Sequence, residues 1–210
     1  MLLWINGPFG GGKTQTAHEI RRRLPGSVVC DPEHAGFGLR RMLPPELRGD
    51  FQDLASWRQG VVEVLDLALR AYDGVVIAPM TVTDFRYFDE TVGRLRALGH
   101  DVRHFTLLAE RETVLKRLRE RGLGHLLGFA VGRNAGLRRE SWAVQQLDHC
   151  LERLREPEFA EHLWTDRTTV PRTADRIAVL AGLTLVPNTE GALRTRLRQA
   201  GVGVRHIRFD

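Results

Sequence analysis

Short apolar runs alternate with longer segments of helical periodicity along most of this chain. Residues 74–80 read GVVIAPM, an apolar and β-branched run that is typical of a strand covered on both faces of a parallel sheet. Similar runs predict four further strands, at residues 2–6, 27–30, 102–108 and 162–166. Because helical segments separate the strands, the pattern predicts an α/β fold in which helices flank both faces of a five-stranded parallel sheet.

Apolar spacing and boundary residues also locate the predicted helices. We expect a group of short helices from residue 31 to about residue 49, and longer helices at residues 13–24, 57–72, 84–98, 112–121, 141–155 and 174–181. Glycines between arginine-rich flanks interrupt the pattern at residues 122–136, which predicts a mobile lid at about residues 117–140.

A phosphate-binding loop is predicted directly after the first strand. Residues 7–14 read GPFGGGKT and fit the pattern G-x-x-x-x-G-K-[ST]. Glycines at this spacing let backbone N–H groups turn towards a nucleotide's phosphates. In this motif Lys13 reaches the β- and γ-phosphates, and the Thr14 hydroxyl ligates Mg²⁺. The sequence therefore predicts a nucleotide and Mg²⁺ as cofactors, and the nucleotide-binding residues Gly7, Pro8, Phe9, Gly10, Gly11, Gly12, Lys13, Thr14 and Gln15.

A carboxylate that could act in phosphoryl transfer follows the second strand. Many phosphate-loop proteins place an Asp at the end of a central strand, but the run 74–80 contains no acid. Asp31 comes directly after the second strand, at the carboxyl edge where open α/β sheets bind ligands. We predict that Asp31 serves as catalytic base and, with Thr14, in holding Mg²⁺. Since Pro32 follows it, Asp31 is also a candidate helix cap, and the two roles are compatible.

Arginines cluster in and around the predicted lid. Transferring phosphoryl oxygens need cationic donors that close over them, and the planar guanidinium suits this task. The predicted catalytic arginines are Arg117, Arg121 and Arg133. For any single one of them, a position on a solvated helix face is an alternative interpretation.

Composition narrows the class of protein. The chain has 210 residues, a net charge of +5 and 42% hydrophobic residues, values typical of a globular protein. Its two cysteines have no metal-ligand spacing, which indicates free thiols in the cytoplasm. No run is long enough for a transmembrane helix, and the first apolar stretch is a strand rather than a signal peptide. Only two of the 31 basic residues are lysines, and we do not predict nucleic-acid binding from this charge.

Several segments together resemble the bacterial tunicamycin resistance protein family. They are WINGPFGGGKTQTA, DPEHAGFGLR, VVIAPMT, HFTLLA, ETVLKRLRER, SWAVQQLDHC and a C-terminal HIR. The resemblance spans nearly the whole chain and implies ATP at residues 7–14 and tunicamycin, a nucleoside antibiotic with a fatty acyl chain, in the adjoining pocket. A nucleotide-kinase fold favours phosphorylation of a hydroxyl of the drug or of a similar nucleoside. Sequestration of the drug without chemistry and a small-metabolite kinase remain alternatives.

The predicted domain covers residues 1–186 and contains both halves of the site. Its acceptor-binding helices span about residues 31–72, where the candidate substrate contacts are Phe37, Arg40, Arg41, Trp57 and Arg58. Packing between helices is the alternative role for the apolar ones. Residues 187–210 form a basic amphipathic tail, which could lie on the inner face of an anionic membrane or pack on its own domain.

Overall fold

A five-stranded, wholly parallel sheet forms the centre of the protein in the computed structural model. The structure describes residues 1–127 and 147–189, with only the helical backbone described over 121–127. The strands are β1 (Leu2–Asn6), β2 (Ser27–Val29), β3 (Val75–Pro79), β4 (Val102–Leu108) and β5 (His162–Trp164), and their order in the sheet is β2-β3-β1-β4-β5. All four strand pairs are parallel, which confirms the predicted fold class.

The helices cover both faces of the sheet, as the alternation of elements predicts. In chain order they are α1 (Lys13–Arg23), α2 (Glu33–Met42), α3 (Ala55–Ala71), α4 (Phe85–Phe88), α5 (Arg94–Ala97), α6 (Arg111–Leu127), α7 (Leu147–Leu154) and α8 (Val170–Leu180). A π-helical turn, Asp89–Gly93, joins α4 to α5, and 3₁₀ turns lie at Pro45–Leu47, Phe51–Asp53 and Pro157–Phe159. Among the described residues, no helix is both long and apolar enough to cross a membrane.

Alternate residues of β1 face opposite layers of the core. Leu2 and Trp4 pack with α3 and the segment from α4 to α5, whereas Leu3 and Ile5 pack with α1 and α8. These four side chains have no exposed surface, so β1 lies at the centre of both layers. A third cluster joins α6 to α7 beside the end of β4.

The first part of the predicted lid, residues 117–127, is helical in the structure. Residues 117–127 belong to the continuous helix α6, whose first half is held by Val114 and Leu118 against Leu147 and Leu151 of α7. Glycine at 122 therefore does not end the helix. The remainder of the predicted lid, residues 128–140, and the tail from residue 190 onwards lie outside the described residues.

Candidate active site

The carboxyl ends of the parallel strands bring the predicted site residues to one edge of the sheet. The chain passes from β1 to β2 and β3 on one side, and then to β4 and β5 on the other. The topological switch point of the sheet therefore lies at β1, where open α/β sheets bind their ligands. The predicted phosphate loop leaves β1 at this point and leads into α1.

Positive backbone angles shape the loop between β1 and α1. Gly7, Gly10 and Gly12 have φ values of 146°, 75° and 92°, which only glycine adopts readily. A Cβ on Gly7 would lie 2.7 Å from the Leu107 carbonyl oxygen, so β4 approaches the loop closely there. The N–H of Gly11 donates to the Pro8 carbonyl at 2.9 Å and closes a turn inside the loop.

Lys13 is the first residue of α1, and its side chain reaches back to the loop. Its Nζ donates to the Pro8 carbonyl at 3.0 Å and lies 5.6 Å from the Phe9 ring centroid. The side chain is buried, and the first turn of α1 carries no acidic residue. The helix N-terminus and the Lys13 ammonium thus supply positive charge with no local carboxylate in that turn, which fits the phosphates of a nucleotide.

The thiol of Cys150 lies close enough to Lys13 to feel its positive charge. Burial raises its pKa to about 11, and the positive charge of Lys13 opposes that rise. Cys150 belongs to the apolar cluster that contains Leu108 and Leu154. It is therefore a neutral packing residue at neutral pH, in agreement with the prediction of a free thiol.

Asp31 lies two residues beyond the end of β2 and caps the first turn of α2. Its Oδ1 accepts a hydrogen bond from the Glu33 N–H at 2.9 Å. Below it, the buried Trp57 indole N–H donates to the Pro32 carbonyl at 3.0 Å and supports the same turn. The capping role of Asp31 is confirmed, and its predicted catalytic role stays a prediction.

Trp57 does not present a surface to a ligand. The side chain has 0% exposure and belongs to the apolar layer between α3 and the sheet. The apolar spacing on α3 directs the ring into the core, and the predicted role of Trp57 as a substrate contact stays a prediction. Phe51 lies between it and Phe37, with ring centroids 5.4 Å from each.

Arg40 borders a small cavity in the predicted acceptor region. The cavity measures about 190 Å³ and lies between α2 and the turn at Phe51–Asp53. Burial is the main cause that raises the pKa of Asp50 in its wall, Asp53 adds to the rise, and Arg40 opposes it. Half-buried Phe37 and exposed Arg41 belong to the same helix as Arg40.

Arg58 joins three elements near the start of α3. Its guanidinium pairs with the Glu90 carboxylate, donates to the Gln52 carbonyl and lies 4.4 Å from the Tyr87 ring centroid. The Tyr87 hydroxyl in turn donates to Asp53 at 2.8 Å. These contacts explain the position of Arg58 without a ligand, so a substrate would have to share the guanidinium with protein groups.

Of the three predicted catalytic arginines, the structure describes the side chain of Arg117. Arg117 donates to the Thr165 carbonyl at 2.7 Å and to its hydroxyl at 3.0 Å, which joins α6 to the end of β5. Burial lowers the pKa of Arg117 despite the nearby Asp166 and Glu120. Arg121 follows on α6 where only the backbone is described, and Arg133 lies outside the described residues.

Two polar residues that support the loop are missing from the sequence prediction. Asn6 ends β1 with no exposed surface, and Thr81 follows β3 with 4% exposure. Both hydrogen bond to the backbone of Gly7. A fully buried amide at the end of an otherwise apolar strand is the signal that could have identified Asn6.

Comparison with known proteins identifies the family. The model of a family described as an AAA domain matches residues 2–130. The solved structure of the Deinococcus radiodurans tunicamycin resistance protein is similar at 33% identity with a TM-score of 0.70, over 89% of this chain and 99% of that chain. The chain belongs to the tunicamycin resistance protein family. No curated protein sequence matches it significantly.

More distant structures share the fold of this tunicamycin resistance family member. A sugar kinase from Janibacter sp. is 18% identical with a TM-score of 0.56, over 87% of this chain and 95% of that chain. The Mycobacterium tuberculosis APS kinase CysC, solved with AMPPNP and APS, is 14% identical with a TM-score of 0.51, over 86% and 96%. The predicted family and the predicted P-loop kinase fold are thus confirmed.

Proposed function

We propose that this protein is an ATP-dependent phosphotransferase that phosphorylates a hydroxyl group of tunicamycin or a similar nucleoside. The observation that carries the proposal is the loop around Lys13, which lies at the same edge of the sheet as Asp31. A donor site and a candidate base at one edge are what direct phosphoryl transfer requires. The drug class comes from the name of the Deinococcus radiodurans relative, which is 33% identical.

On the donor side, residues 7–15 hold the phosphates of ATP. The backbone N–H groups of the loop and the N-terminus of α1 face the phosphate oxygens, and Lys13 exchanges its bond to the Pro8 carbonyl for the β- and γ-phosphates. Thr14 and Asp31 would hold Mg²⁺, which neutralises charge on the phosphates when bound. Arg117, Arg121 and Arg133 are proposed to approach the transferring group from α6 and beyond.

On the acceptor side, Asp31 accepts the proton of the attacking hydroxyl. The acceptor oxygen then forms a bond to the γ-phosphorus, the bond from that phosphorus to the β,γ-bridging oxygen breaks, and ADP leaves with the electron pair. Since the capping bond uses Oδ1, the same bond fixes the direction in which the carboxylate faces. Phe37, Arg40, Arg41 and Arg58 are proposed to contact the acceptor.

Mass spectrometry of the drug tests this function. We expect tunicamycin incubated with the protein, Mg²⁺ and ATP to gain the mass of one phosphoryl group, and ADP to appear in equal amount. A Lys13→Met variant, which keeps a long side chain without the charge, should give neither product. Tight binding of unmodified drug would instead indicate sequestration, and ADP formation only with another small hydroxyl compound would indicate a metabolite kinase.

A further inference from the structure

A buried amide closes the end of β1 beneath the phosphate loop. Asn6 has 0% exposure, although every other residue of β1 is apolar. Its Oδ1 accepts from the N–H of Gly7 and from the N–H of Val82, both at 2.9 Å, and its Nδ2 donates to the Val82 carbonyl at 2.9 Å. The side chain thus bridges the first residue of the loop and the turn that follows β3.

Thr81 holds the other polar group of the same glycine. Its hydroxyl donates to the Gly7 carbonyl at 2.8 Å, and its side chain is 4% exposed. Both backbone polar groups of Gly7 therefore bond to side chains rather than to a neighbouring strand. The Leu107 carbonyl oxygen limits movement of Gly7 from a third side, since it lies 2.7 Å from the position that a Cβ on Gly7 would take.

We propose that Asn6 and Thr81 are positioning residues that fix the Gly7 peptide groups and thereby preset the phosphate loop for its nucleotide. Buried polar side chains cost free energy unless fully bonded, and an apolar residue of similar size could fill either position. The bonds orient the segment from which the phosphate-facing N–H groups continue. A loop whose amides are already oriented loses less conformational entropy when it binds phosphate.

The turn after β3 is itself held from a second direction. Arg153 of α7 donates to the Thr83 carbonyl at 3.3 Å, and Asp84 caps α4 through the Arg86 N–H at 2.8 Å. Thr81 and Val82 thus belong to a turn that is fixed at both ends. Because this turn is fixed, Thr81 restrains Gly7 and does not move with it. The inference rests on the proposed function only in that a nucleotide's phosphates occupy the loop.

Thr81→Val tests the inference, because valine matches the shape of threonine and removes only the hydroxyl. We expect the dissociation constant for MgATP, measured by calorimetry without an acceptor, to rise roughly tenfold. Thr81→Ser retains the hydroxyl and should bind within about twofold of the unmodified protein. Asn6→Leu keeps a similar size without adding charge and removes the bonds to Gly7 and Val82, and should also weaken MgATP binding.

Thr91→Val is the matched control. Thr91 is equally buried, and its hydroxyl also donates to a backbone carbonyl, that of Tyr87 at 2.8 Å, but it lies in the turn between α4 and α5. The Thr91→Val variant should lower the melting temperature about as much as Thr81→Val does, but it should not change the affinity for MgATP. Unchanged affinity in Thr81→Val, or an equal loss in Thr91→Val, would overturn the inference. A protein that binds MgATP but phosphorylates nothing would remove only the proposed function.

Discussion

At the scale of single residues, Asp31 combines a structural bond with a proposed chemical role. One carboxylate oxygen caps α2, and the residue lies at the carboxyl edge of the sheet, after the outer strand β2. Asparagine retains an oxygen that can accept the capping bond but cannot take a proton from a hydroxyl group. Comparison of aspartate with asparagine at position 31 therefore separates the structural contribution of Asp31 from its chemical role.

The Asp31→Asn variant should bind ATP, measured without Mg²⁺, nearly as tightly as the unmodified protein and lose phosphoryl transfer. We expect its rate of ADP formation with acceptor present to fall at least about a hundredfold, the range for a lost general base. Its melting temperature should change little, because the cap remains. Calorimetry, a coupled ADP assay and thermal unfolding measure the three quantities.

Asp84→Asn provides the matched control for this prediction. Asp84 caps α4 with the same kind of bond, and it follows β3, the neighbour of β2 in the sheet. We expect it to retain the transfer rate within a small factor. Full turnover by Asp31→Asn would remove its assignment as the base, and loss in Asp84→Asn alone would transfer the role to the carboxylate after β3.

At the scale of elements, hydrophobic periodicity located the strands better than the helix ends. The strand 102–108 matches the structure at both ends, whereas the helix predicted at 112–121 runs from Arg111 to Leu127. Glycine signals a helix end only by its weak intrinsic preference, and the helix continues through Gly122 here. Tertiary contacts are not visible in a local pattern.

The same limit explains why the acceptor side of the site was harder to predict than the donor side. The loop 7–14 is a contiguous motif with one backbone shape, so its residues can be read from the sequence. The substrate contacts come from several elements, and their faces depend on packing. Trp57 and Arg58 are adjacent on α3, and both prove to be engaged by the protein's own groups.

Trp57→Phe tests whether Trp57 serves packing rather than binding. The change leaves the buried Pro32 carbonyl without the indole donor and opens a small void, so we expect the free energy of unfolding to fall by about 2 kcal/mol. Urea denaturation measures it. Trp4→Phe is the control, because Trp4 is equally buried and its indole nitrogen has no hydrogen-bond partner among residues 1–127 and 147–189.

The two tryptophan variants lose the same volume, so their difference reports the hydrogen bond to Pro32. Trp57→Phe should cost more stability than Trp4→Phe. Equal losses would show that the bond contributes nothing to the α2–α3 connection. If Trp57→Phe kept its stability but bound tunicamycin more weakly, Trp57 would be a ligand contact after all.

At the scale of the whole molecule, the sheet topology explains why so much of the donor site follows from sequence. Five apolar strands with helical crossovers leave few arrangements, and the parallel pairing of all five strands places every carboxyl end at one edge of the sheet. Residues 7–14 reach that edge because they directly follow β1, and Asp31 and Thr81 reach it because they lie two residues beyond the ends of β2 and β3. The roles of Asn6 and Thr81 are not visible in the sequence, since their side chains bond to loop segments about 75 residues away along the chain.

Global stability should fall as the pH decreases from neutrality, and His104 is one cause. Its imidazole is buried on β4, beside the Phe88 ring at 4.6 Å, and its Nδ1–H donates to the Ala160 carbonyl at 2.9 Å. Burial lowers the pKa of His104 to about 3, nearby Arg96 and His162 lower it further, and the Ala160 bond opposes the shift. The folded protein therefore keeps this ring neutral throughout the mildly acidic range.

The unfolded chain binds a proton at this position below a pH of about 6.5, whereas the folded protein does so only near pH 3. Between these values the unfolded state holds the extra proton, so His104 should reduce the free energy of unfolding by up to about 1.4 kcal/mol per pH unit. Urea denaturation at several pH values from 7 to 4 measures the slope.

The His104→Gln variant has no titrating ring and retains an N–H donor. It should flatten the slope of unfolding free energy against pH relative to the unmodified protein. His100→Gln, at a half-buried site paired with Asp66, provides the comparison for loss of a histidine elsewhere. An unchanged slope in His104→Gln would mean that the buried ring takes up its proton without unfolding the protein.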